Sequence, residues 1–137
     1  MKSLFAIVLA VVLCAASAAH AQPMACDGQG DSSQRAESGR YTVRFRFDPQ
    51  PVVGQHFALL FAVCGRAAPA APESAGVDAR MPAHGHGMNY RPSVTALGGG
   101  RFRAEGLMLH MPGRWELVFV VQEAGSAERI VYPLDIQ

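Results

Sequence analysis

Beyond Lys2 the chain contains no lysine, so every fixed positive charge from residue 3 onward is an arginine. Those eleven arginines stand against eleven Asp and Glu, and no basic run occurs. A formal charge near zero argues against nucleic acid or an anionic membrane as a partner. Catalytic signatures are also missing. There is no nucleophile elbow, no H-E-x-x-H and no glycine-rich phosphate loop. Paired carboxylates in an apolar setting are absent, which leaves general acid–base chemistry without agents. A cupin-type site would need a carboxylate soon after H-x-H, yet none falls between Asp78 and Glu105. The chain is not expected to be an enzyme.

Long apolar runs are scarce as well. The run Leu4–Leu13 is shorter than the ~20 residues of a spanning helix. It follows Lys2 and precedes the small-residue stretch Ala15–Ala21, with Ala19-x-Ala21 as a cleavage signal. Charge, length and small residues together predict a secretory signal peptide over residues 1–21 and a soluble protein exported to the periplasm. The remaining 116 residues suffice for one domain with its own core. Of three cysteines, Cys14 leaves with the signal. An oxidising compartment permits Cys26 and Cys64 to pair, closing a loop worth about 4 kcal/mol in the chain-entropy model. The alternative is a free Cys64 acting as a soft metal ligand.

Residues 22–39 are small and polar and read as a flexible lead-in. From Tyr41 to Phe47, apolar residues alternate with Thr42, Arg44 and Arg46, the period of a half-buried strand. Phe57–Cys64 is a short apolar run bounded by turn residues and reads as a buried strand. Gly65–Gly76, rich in Ala and Pro, reads as an exposed loop, with a short strand at Val77–Arg80 after it. Ser93–Leu97 and Arg101–His110 flank Gly98-Gly99-Gly100 as a hairpin. Trp115–Val121 alternates again, and a loop at Glu123–Ala127 returns the chain through Arg129 to Ile136. About seven short strands and no helical period after residue 22 predict an all-β domain over residues 40–137, an antiparallel β-sandwich.

The donor residues are unevenly spread. Past residue 24 there are four Met and four His, and all but His56 lie between residues 81 and 111. Met81, His84, His86 and Met88 form MPAHGHGM, and His110 and Met111 form a second pair in HMPG. Imidazole beside thioether suits copper, because thioether selects Cu(I) while imidazole accepts either oxidation state. In extended chain, residues i and i+2 share one face, and Gly85 and Gly87 let the segment curve so that two imidazoles converge. Strand ends cluster at the poles of a sandwich, so His110 or Met111 can complete a site begun by His84, His86 and Met88, with Met81 in reserve. Met108 fits neither group and is assigned to the core. His56, at a strand start, is assigned a structural role.

On these stretches the chain resembles the YtkA-like/FixH-like family of exported or membrane-attached bacterial proteins. The likeness runs from about Tyr41 to Gln137 and is strongest over VDARMPAHGHGMNYRPSV (77–94) and GRFRAEGLMLHMPGRWELVFVV (100–121). It implies an immunoglobulin-like β-sandwich, similar in outline to periplasmic copper-binding CopC proteins. FixH-like members are associated with copper supply to, or assembly of, haem–copper oxidases. The signature positions are Met81, Pro82, His84, Gly85, His86, Gly87, Met88, Met111, Pro112, Gly113 and Trp115. The chain departs from the FixH-like pattern in lacking a retained membrane helix. It also lacks the N-terminal His of CopC-type sites, since cleavage after Ala21 exposes Gln22.

Two functions follow from this reading. One is a periplasmic copper carrier or buffer, holding exchangeable Cu(I) for a copper-receiving or membrane-associated partner protein, with no nucleic acid and no direct membrane insertion. Acid would then release the ion from histidines, which bind only when neutral, while thioethers do not titrate. The other is a metal-free interaction module whose Gly/Pro/His loop docks a partner.

Overall fold

Alternation in the sequence becomes alternation in space. The computed structural model describes residues 33–67 and 72–137. Its strands are β1 (Gln34–Glu37), β2 (Tyr41–Asp48), β3 (His56–Gly65), β4 (Ser74–Met81), β5 (His86–Gly87), β6 (Ser93–Gly98), β7 (Arg101–Met108), β8 (Gly113–Glu123) and β9 (Ser126–Ile136). They form two antiparallel sheets, one ordered β1-β2-β3-β7-β6 and the other β5-β4-β8-β9. The domain is an all-β sandwich, and the nine described strands exceed the seven expected. The predicted signal peptide, most of the lead-in and Cys26 lie outside the described residues. Cys64 is disulfide-bonded.

Each sheet turns one side-chain set inward. Val43 and Phe45 of β2 oppose Val63 and Phe61 of β3, and all four are buried. From the other sheet, Phe119 reaches across to Phe45 at 5.1 Å and Phe61 at 5.4 Å, ring centroid to centroid. Trp115, Leu117, Phe119 and Val121 of β8 form the centre of the facing layer, flanked by Ala75, Val77, Ala79 and Met81 of β4 and by Ile130 and Ile136 of β9. Full burial of such side chains contributes about 1.5–3 kcal/mol each, so this aromatic layer is the main source of cohesion between the sheets. No polar or charged residue among those described is fully buried.

Three elements depart from the sequence reading. Regular structure starts inside the expected lead-in, because β1 borrows its register from β2 and needs only Ala36 to face inward. β4 begins at Ser74, inside the expected loop, where pairing with Gln122 extends it. Met108 is half-buried and lies outside the core cluster to which it was assigned. The cause is a bulge. Phe57 pairs with Leu107 and Leu59 with Ala104, which leaves Glu105 and Gly106 together opposite Ala58. Phe102 and Ala104 point inward before the extra residue, and Leu107 and Leu109 after it. The phase flips, and Met108 turns away from the core.

The two sheets are also tied at one pole by polar contacts. The Tyr41 hydroxyl donates to Glu123, and Arg40 pairs with Glu128. Donating that bond makes the Tyr41 phenol harder to ionise than usual, with burial acting in the same direction. The Ser38 hydroxyl holds the Glu128 carboxyl below its ordinary 4.5, and the Arg40 guanidinium reinforces this against partial burial.

A lowered folded-state value stabilises the protein above the unfolded-state value, and the contribution disappears as pH falls through the folded one. Glu128→Gln therefore lowers the thermal midpoint at neutral pH, and wild type and variant converge on acidification below 4.5. A gap that persists at low pH removes the electrostatic account. Gly106 has φ of +83° with open space where a Cβ would stand. Gly106→Ala is then a pure test of backbone strain, costing about 1–2 kcal/mol in urea unfolding.

Candidate metal centre

The MPAHGHGM segment is a tight reversal rather than a curved strand. Met81 closes β4 in extended conformation, and Pro82 opens a single 3-10 turn over Pro82–His84. Gly85 adopts φ of 66°, the left-handed conformation that glycine tolerates best, and donates its N–H to the Pro82 carbonyl. The chain then folds back as β5, pairing His86 with Met81 and Gly87 with Arg80. A further bond from the Met88 N–H to the Ala79 carbonyl, 3.0 Å, pins the returning strand. His84 and His86 thus sit on either side of a left-handed residue, with ring centroids 5.8 Å apart.

The second donor segment follows β7. His110 lies two residues past the strand rather than at its end as expected, and beyond it the chain bends into β8. Its imidazole stands 5.1 Å from that of His86, centroid to centroid, with the planes inclined by 32°. Residues from two stretches of sequence therefore meet at one pole. The single tryptophan, Trp115, is fully buried beside them, 5.8 Å from His86 and 5.4 Å from His110. Its indole N–H donates to the Met111 carbonyl at 3.0 Å, which ties the HMPG bend to β8.

The three histidines are not equivalent. His84 is exposed, while His86 and His110 are half-buried. The His86 Nδ1 lies 3.3 Å from the Gly87 carbonyl oxygen. The Nδ1 of His110 is buried and has no hydrogen-bond partner. A buried imidazole nitrogen without a partner is unfavourable unless something satisfies it, and a metal ion does so. With metal–nitrogen bonds of 2.0–2.1 Å, two imidazoles on one tetrahedral ion have centroids roughly 5 Å apart. The His86–His110 spacing meets that requirement.

Three methionines lie on the same two segments as the pair. Met81 is only 1% exposed. Its Cε lies 3.3 Å from where a Cβ on Gly113 would be, so its thioether end reaches the start of β8. Met88 and Met111 are half-buried and pack against the core. No group of three or more His, Cys, Asp or Glu among the described residues is placed to hold a metal without other donors. A metal held here would need donors besides these, and thioether is the one that Met81, Met88 and Met111 offer. His86 also lines a cavity of about 430 Å³ with Met81, Pro82, Gly85 and the Arg80–Glu116 ion pair.

Sequence reasoning missed Arg80 and Glu116, which meet only because β4 and β8 pair in that register. It included Trp115 solely as a signature position, since nothing in one chain tells that an indole will lie against two distant imidazoles. His56 is exposed at the start of β3 and packs edge-on against Tyr90 at 5.4 Å. Comparison with protein-family models, curated proteins and solved structures gives no match for this chain.

Trp115→Phe keeps an aromatic ring in the core but removes the indole N–H and some volume. It is expected to cost about 1–3 kcal/mol in urea unfolding, more than a hydrogen bond alone. A loss indistinguishable from zero means that Trp115 does not hold the HMPG bend.

Proposed function

We propose that this chain is an exported copper-binding protein, a carrier or buffer that uses a His/Met site and supplies copper to a partner protein. The observation that carries the reading is the 5.1 Å approach of His86 to His110, joined to the unpartnered buried Nδ1 of His110. His86 and His110 are its principal nitrogen ligands. Met81, Met88 and Met111 are the candidate sulfur donors, and His84 is the exposed ligand nearest solvent. A small set of soft donors favours Cu(I), which accepts low coordination and stays exchangeable. Membership of the YtkA-like/FixH-like family, with an immunoglobulin-like arrangement of the sandwich and a periplasmic location, belongs to the same proposal.

A second reading keeps the segment as a metal-free docking loop. The cavity beside His86 favours it, because a concave site flanked by an Arg80–Glu116 pair could seat a partner's side chain.

Anaerobic Cu(I) titration separates the two, followed by copper stoichiometry and by Trp115 emission. Wild type is expected to bind one ion per chain and to change its emission as it fills. His110→Gln and the double variant His84→Gln/His86→Gln are expected to weaken binding by at least about tenfold. Unchanged stoichiometry and affinity in both variants would remove the histidines from the site and leave the docking loop as the better reading.

A further inference from the structure

The near-zero balance of charge conceals a segregation that only strand register exposes. On the outer side of the five-stranded sheet, Arg35, Arg44, Ala62 and Arg101 stand side by side across β1, β2, β3 and β7. In the next row Arg46, Leu60 and Arg103 stand together, with Thr95 of β6 beyond them. Five of the eleven arginines after Lys2 thus share two adjacent rows that contain no carboxylate. The acids of this face, Glu37, Asp48 and Glu105, lie in the flanking rows, where they pair with Arg35 and Arg103. Arg44, Arg46 and Arg101 have no ion-pair partner among the described residues.

This arrangement costs stability. Arg35 and Arg44 are direct cross-strand partners, and like charges in that relation repel. The outer side of the other sheet behaves differently. There Arg80 pairs with Glu116 and Arg114 with Asp135, so opposite charges alternate. The repulsion on the first face is therefore not a general habit of the chain.

The geometry points to this arginine face as a peripheral docking surface for anionic phospholipid headgroups, a role independent of the copper reading. Charge complementarity and shape select the occupant. Three strand spacings separate Arg35 from Arg101, about 14 Å, so the arginines occupy a two-dimensional array of register positions suited to a plane of phosphates. No aromatic side chain stands in these two rows to anchor the centre of a protein interface, and Leu60 is half-buried. Attachment by charge alone is reversible and sensitive to salt. It would turn the four-stranded sheet, with its Met81–Met88 reversal, away from the bilayer.

The test compares two double charge reversals of equal net charge on protein purified in the N-terminal form that the cell leaves. Arg46→Glu/Arg101→Glu alters the face. Arg91→Glu/Arg129→Glu alters two exposed arginines elsewhere. Each is sedimented at low ionic strength with vesicles of two parts phosphatidylcholine to one part phosphatidylglycerol, and with phosphatidylcholine alone. Each is also titrated with soluble poly-L-glutamate. Wild type and Arg91→Glu/Arg129→Glu are expected to bind the anionic vesicles alike, with high salt releasing both. The face variant is expected to lose at least about 25-fold, near fivefold for each arginine. Equal binding by both variants overturns the proposal, as does absence of wild-type binding or equal binding to phosphatidylcholine alone. Poly-L-glutamate binding that depends on Arg46 and Arg101, without vesicle binding, also overturns it and assigns the face to an acidic protein.

Discussion

A single extra residue in β7 governs the pole where the donors gather. Opposite Ala58 the strand carries both Glu105 and Gly106, and everything after that point faces the other way. Leu107 and Leu109 enter the core, and the backbone carbonyl of Leu109 accepts the Gly54 N–H. The chain is thereby anchored just before His110. Without the bulge, Met108 would point inward and the apolar anchor beside His110 would be lost. A bulge next to a functional segment re-aims side chains that regular pairing would misplace.

From that anchor the site depends on two short reversals supported by rigid strands. One turns on Gly85 and returns His86 to lie beside Met81. The other bends through Met111 and Pro112 and is held by the Trp115 indole. Neither reversal is long, so neither imidazole has much freedom to drift from its partner. Candidate donor groups on short, pinned turns would lose little entropy on closing around a ligand.

The sheet strands were largely legible in the sequence because burial imposes a period of two. Tyr41–Phe47 and Trp115–Val121 announce their inward faces directly, and Gly98-Gly99-Gly100 marks its hairpin. The sequence allowed the approach of His86 to His110, since strand ends gather at the poles of a sandwich, but did not show it. Features that depend on a partner strand were not legible. β1 is polar and exists because β2 offers it an edge. The phase of Met108 depends on an inserted residue, which a single chain records only as a glycine. The arginine rows were invisible for the same reason. Arg35, Arg44, Arg46, Arg101 and Arg103 are scattered along the chain and meet only through register. Cys64 belongs to a disulfide, and the expected partner, Cys26, lies outside the described residues.

The two-residue length of β5 leaves β4 with an unusual rim. β5 covers only Arg80 and Met81, so among the described residues no strand pairs with the outer edge of Ser74–Ala79. An uncovered edge invites a foreign strand to add to the sheet. Here the Asp78 carboxylate accepts the N–H of its neighbour Ala79 at 2.8 Å, and the Ala79 carbonyl is occupied by Met88. One backbone unit is thus satisfied from within, next to an exposed negative charge. An incoming strand would have to displace both bonds and bury that charge at the end of the rim next to the candidate metal centre.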